Sequence, residues 1–224
     1  MQWINTLDDY VSSSLPGQGD FVTRPGLLQK VDVQGRFLPF AGNTVVFLLD
    51  EQTKHCLKTL QDELYGRAGA LLAQRLDSAA FHITAHDLCS SGTHPEQLSR
   101  QMQTARDKTL PILERYRRQP PLTMQATWLF NMVNTSVVLG FRPADADSEN
   151  RLSALYQALE TVVPLGYALT PHVTMAYFRP GCYGQHQLAP LKEALHAVGL
   201  SVTLPMEGLV YQTFSDMNHY QTLG

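Results

Sequence analysis

From residue 44 onward the apolar positions follow two alternating rhythms. Residues 44–49 (TVVFLL) form a short β-branched and apolar run, the pattern of a buried strand. In residues 51–75, Leu57, Leu60, Leu64, Leu71 and Leu72 recur at helical spacing. Residues 79–87 read as a strand. Residues 94–118 read as a long helix with Pro95 suited to its first turn, and residues 122–130 as a strand. Then the order starts again. A strand is predicted at 135–141 (TSVVLGF), then a helix over 147–163 with Asp147 or Ser148 as cap and Leu152, Leu155 and Leu159 on one face. A strand at 172–178, a helix at 187–198 and a strand or hairpin arm over 201–213 complete the pattern. Residues 1–43 are punctuated by Pro16, Gly17, Gly19, Pro25, Gly26, Gly35, Pro39 and Gly42, which predicts an irregular arm with turns, not a separate domain.

The two halves share one plan: strand, helix, strand, helix, strand. The opening strands TVVFLL and SVVLGF read alike, which points to an internal duplication with little residue identity left. The fold class expected is α+β: two pseudo-symmetric lobes of antiparallel sheet with flanking helices and a groove between them. The expected division is an arm at 1–43, a first lobe at 44–131 and a second at 132–224, joined as one intimate unit.

Composition narrows the function. Apolar residues make up 44% of the chain and charged residues 17%, normal for a packed protein. A net charge of −3 lacks the electrostatic footprint of a protein that tracks long nucleic acid, but leaves room for a small anion held locally. Cys56, Cys89 and Cys182 are scattered and odd in number, so a reducing cytoplasm is the expected compartment. The start Met1-Gln2-Trp3-Ile4-Asn5 lacks the basic and apolar regions of a secretory signal, and no apolar run reaches the ~20 residues of a membrane span.

The chemistry lies in two triplets, His82-Ile83-Thr84 and His172-Val173-Thr174. On a strand, side chains two apart share a face, roughly 7 Å apart. With 8 histidines and 18 threonines in the chain, one such triplet is unremarkable; two at the same place in a repeated order are not. If their strands lie side by side, one groove holds two imidazoles and two hydroxyls. That set can take a proton, give a proton and hold an anionic oxygen without a metal. His82 and His86, four apart on a strand, stand too far apart to share an ion, and there is no HExxH or acidic cluster. No metal or other cofactor is expected.

With these motifs the chain resembles the two-histidine (2H) phosphoesterase superfamily. Its mark is a pair of hydrophobic-His-x-Thr/Ser-x-hydrophobic motifs in a duplicated, two-lobed α+β fold. The resemblance spans about residues 44–213. The arm sequence VDVQGRFLPFAGNTVV also looks like the lead-in of a little-studied bacterial branch. It implies a metal-independent phosphodiesterase acting on a small nucleotide cyclic phosphate or an RNA-end phosphodiester. One of His82 and His172 would activate water and the other protonate the leaving oxygen, with Thr84 and Thr174 donating to the phosphate. The alternatives are a 2′-5′ RNA end-processing or ligase-type enzyme, and a non-catalytic nucleotide-binding module.

The expected partner is a small nucleotide or short RNA end, with no long nucleic acid, no membrane and a monomeric chain. Further substrate contacts are expected from four residues. His86 shares the parity of His82. Tyr177 lies five residues after His172, where relatives place substrate contacts, and needs a bulge to face the groove. Phe178 has the parity of a base-stacking wall, although a core role is the plainer reading. Arg36 could neutralise a phosphate, as could Arg179. Trp128 and Phe130 are expected in the core.

Overall fold

A computed structural model describes residues 3–4, 15–91 and 94–223. The described part of the 1–43 arm is irregular, with a short strand β1 (Phe21–Val22) and a 3-10 turn over Pro25–Gln29; residues 1–2 and 5–14 of that expectation lie outside the described residues. The regular body follows as β2 (Gly42–Leu48), α1 (Glu51–Ala68), β3 (His82–Ser90), α2 (Pro95–Tyr116) and β4 (Leu122–Met132). The second half supplies β5 (Ser136–Pro143), α3 (Ala146–Glu160), β6 (His172–Tyr177), β7 (Cys182–Tyr183) and α4 (Gln185–Ala194). The last elements are β8 (Ser201–Leu204), β9 (Leu209–Phe214) and β10 (Tyr220–Leu223).

Two four-stranded antiparallel sheets carry the fold, in the orders β10-β9-β2-β3 and β6-β5-β4-β8. The chain is therefore α+β and two-lobed, but the lobes do not divide at residue 131. The strand that follows the second helix of the first half, β4, pairs with β5 and β8 in the other sheet. Reciprocally, β9 leaves the second half and pairs with β2. Residues 201–213 are thus no hairpin: β8 and β9 belong to different sheets. The exchange interleaves the halves and leaves β3 and β6, the two His-x-Thr strands, as the facing edges of the two sheets.

Local chemistry explains the helices. Asp50 caps α1 by accepting from Thr53 N at 2.7 Å, and Leu57, Leu64 and Ala68 bury one face. Pro95 opens α2 in its first turn, as expected, with His94 as N-cap. The α3 cap is Asp145, accepting from Ser148 N at 2.7 Å, two residues before the earliest expected position. Helix α1 packs against α4 and α2 against α3. Phe130 is buried, whereas Trp128 is 44% exposed, because a register shift between Ala126 and Leu129 turns it out of the core. No helix among the described residues is long and apolar enough to cross a membrane.

Candidate active site

His82, Thr84, His172, Thr174 and Tyr177 line one narrow cleft, together with Tyr220, Met217, Leu76 and Ala80. The two strands that build it have the same burial rhythm: half-buried His, buried residue, half-buried Thr, two buried residues, then a side chain back toward the open face. The irregularity is a matched pair of β-bulges. In β3 the partners of Val45 and Val46 are His86 and Thr84; in β6 those of Val137 and Val138 are Ala176 and Thr174. Each bulge inserts one residue after the threonine and reverses the parity beyond it.

The bulges are secured by side chains from neighbouring elements. Thr44 Oγ1 donates to His86 O at 3.0 Å, and Gln61 Nε2, wholly buried on α1, donates to Met175 O at 3.1 Å. These bonds satisfy backbone carbonyls whose ladder pairing is disturbed.

The parity reversal corrects two expectations. His86 does not face the groove with His82. It is fully buried, its Nε2 is 3.1 Å from Glu160 Oε1, and its ring lies 5.1 Å from that of Tyr156, so it ties β3 to α3. Phe178 is not a wall of the cleft. It is also fully buried, edge-on to Phe21 at 5.0 Å. Conversely, Tyr177 reaches the cleft, where its hydroxyl donates to Met217 Sδ at 3.0 Å. Its counterpart five residues after His82 is Asp87, a position that an alternation of two along β3 does not single out. Arg36 lies away from the cleft lining, exposed and paired with Asp32 at 2.7 Å. Arg179 is exposed as well.

Lys30, from the N-terminal arm, brings a cation close to this chemistry. Its ammonium sits 4.9 Å from the centroid of Phe40 and 5.8 Å from that of Tyr177. Tyr220, on β10, presses its ring against His82 at 4.8 Å between centroids. Neither residue carried a sequence signal: one lies in a turn-rich arm, the other in a short edge strand near the C-terminus.

Both imidazoles are oriented by the carbonyl two residues upstream. His172 Nδ1 donates to Thr170 O at 2.7 Å, which leaves Nε2 for the cleft. His82 bonds the backbone of Ala80 in the same way. Burial, and then the proximity of His172, push the His82 imidazole down to about 4. His172 is also lowered, chiefly by burial; its bond to Thr170 and the Asp87 carboxylate draw it up, while Lys30 pushes it down. Asp87 therefore acts as the distinguishing charge of the pair, favouring protonation of His172.

The cleft is small, about 20 Å³, room for little more than one water. Beyond it lies a cavity of about 400 Å³ that shares Thr84 and His172 with the cleft but does not touch His82. The site is thus open on the His172 side and confined on the His82 side. Among the described residues no group of three or more His, Cys, Asp or Glu side chains is placed to hold a metal ion.

No protein-family model and no curated protein sequence matches this chain. Solved structures do. A conserved protein of unknown function from Agrobacterium tumefaciens aligns over 98% of both chains with a TM-score of 0.68 and 19% identity. TT0787 of Thermus thermophilus aligns over 81% of this chain and 94% of its own, with a TM-score of 0.53 and 14% identity. LigT of E. coli, complexed with 3′-AMP, aligns over 83% and 96%, with a TM-score of 0.49 and 12% identity. The chain has the two-lobed α+β fold shared with the first two of these structures, and it holds at the junction of its sheets the paired His-x-Thr strands on which its resemblance to the two-histidine phosphoesterases rests.

Proposed function

We propose that the protein is a metal-independent phosphodiesterase that opens a small nucleotide cyclic phosphate, or a phosphodiester at an RNA end, by two-histidine acid–base catalysis. The observation that carries this reading is the meeting of both imidazoles and both threonines, from equivalent edge strands, at one cleft. His82, neutral and beside the space for one water, is the base; His172, under the field of Asp87 and bordering the open cavity, is the acid. His82 takes a proton from water as its oxygen bonds to phosphorus. The bond from phosphorus to the leaving oxygen breaks, and His172 gives that oxygen its proton. The Thr84 and Thr174 hydroxyls, which have no hydrogen-bond partner among the described residues, donate to the non-bridging oxygens where charge is held. The cycle closes by proton exchange with solvent.

The pure protein, incubated with 2′,3′-cyclic nucleotides, 3′,5′-cyclic nucleotides, ADP-ribose 1″,2″-cyclic phosphate and a 2′-5′-linked dinucleotide, is expected to turn over at least one of them, unchanged by EDTA. Binding without turnover across that panel would make the site a nucleotide-holding module, and loss of activity in EDTA would place a metal in the reaction.

The acid and base assignments also set a pH profile. The base must be neutral, so kcat/KM falls as pH drops through about 4, where His82 takes up a proton. The acid must be protonated, so kcat/KM falls as pH rises through the lowered pKa of His172, on the acid side of the ordinary value of ~6.5. Asp87→Asn removes a charge that favours the imidazolium and should move only the alkaline limb, to lower pH. An alkaline limb that stays in place or moves up would refute the assignment.

A further inference from the structure

We infer that the cavity beside His172 is a nucleoside subsite in which the base lies against Val133 and Tyr167. The inference rests on the phosphodiesterase reading for its orientation, but not for its test. Thr84 and His172 line both spaces, so a group attached to a phosphate at their junction extends into the larger one.

The argument starts from backbone strain. The β4–β5 loop turns through Val133 and Asn134 with φ of 45° and 58°, the left-handed region at both positions. Asn tolerates that conformation. A β-branched residue does not, and one held in such a region is strained and stays there only where its surroundings compel it. Here they do. Asn131, wholly buried, donates from Nδ2 to Asn134 Oδ1 at 2.7 Å and accepts from Asn134 N at 3.1 Å. Thr135 N donates to Met132 O at 3.0 Å, and Asn134 Nδ2 donates to Val22 O at 3.1 Å. The turn itself would be met more cheaply by glycine at 133. What valine adds is an apolar surface, and that surface lines the cavity while 42% exposed.

Tyr167 lines the same cavity and is 57% exposed. The cavity's acidic and its basic side chain are complementary: Asp87, an acceptor when ionised, and Arg24, a donor. Apolar surface for a flat face, with polar acceptors and donors for its edge and sugar, suits a nucleoside and not a lipid tail or a simple phosphate. The side chains sit on the His172 side, so the nucleoside is the part of the substrate that keeps the leaving oxygen.

The test measures equilibrium binding of 3′-AMP and of inorganic phosphate to the full chain, wild type, Val133→Gly and Tyr167→Ala. Wild type should bind 3′-AMP at least tenfold tighter than phosphate. Each variant should weaken 3′-AMP about tenfold and leave phosphate within about twofold, as expected for lost aromatic stacking at Tyr167 and lost apolar contact at Val133. The melting temperature of Val133→Gly should equal or exceed that of wild type, because glycine releases the strain. Equal wild-type affinity for the two probes, variants that keep the preference, or a lower melting temperature for Val133→Gly would each overturn the inference. Turnover of 2′,3′-cyclic AMP is followed in parallel. No turnover with the 3′-AMP preference intact would remove the catalytic reading and leave the subsite; turnover without the preference would do the reverse.

Discussion

His82→Ala and His172→Ala should each lower kcat/KM on a cyclic phosphate diester by about 10²–10⁴-fold, the range for a lost general acid or base. Neither should unfold the protein. Both rings are half-buried at the wall of a cleft, outside the apolar core, and His82 gives up one edge contact with Tyr220. A second substrate separates their roles. With a p-nitrophenyl diester, whose leaving oxygen needs no proton, His172→Ala should recover much of its loss while His82→Ala should not. Recovery in His82→Ala instead would exchange the two assignments, and turnover within about tenfold of wild type in both variants would refute two-histidine catalysis.

Phe178→Ala should cost about 3–5 kcal/mol of stability, as for a large aromatic removed from a close-packed core. At roughly 2–4 °C per kcal/mol for a chain of this size, its melting temperature should fall by about 6–20 °C. The reason is its side chain's place: fully buried and edge-on to Phe21 at 5.0 Å, so its removal leaves a cavity in the core. A wall that stacks on substrate would behave oppositely, losing activity at wild-type stability. Thermal melts of the variant alongside wild type decide between the two, and an unchanged melting temperature would return Phe178 to the site.

The elements were legible where the physics is local. Apolar recurrence placed α1 and α3, Pro95 marked the start of α2, and the β-branched runs placed β2, β5 and the two His-x-Thr strands. The repeated order of elements was legible because a strand–helix rhythm survives when residue identity has gone. Caps were less so: Asp145, Asp147 and Ser148 are all competent, and only the backbone geometry selects Asp145.

Parity was the limit at the site. An alternation of two is reliable only along an unbroken strand, and one inserted residue reverses it. That is why His86 and Phe178 were expected at the groove and lie in the interior, and why Asp87 was missed. The polar spacing was there to be read, since His, Thr and the next outward residue follow steps of two and then three in both strands. Tyr220 and Lys30 lacked even that, being brought in from β10 and the arm by long-range packing.

The two His-x-Thr faces are set locally, because neighbouring side chains on a strand are arranged by the backbone alone. That the two faces share one cleft, and that its ends differ, comes from long-range packing. The first follows from the exchange of β4 and β9 between sheets, which makes β3 and β6 facing edges. The second follows from Asp87 and a cavity on the His172 side alone. Both depend on contacts between residues far apart in the chain, where pairing is chosen by hydrogen bonding and burial across the whole fold, beyond the reach of local periodicity.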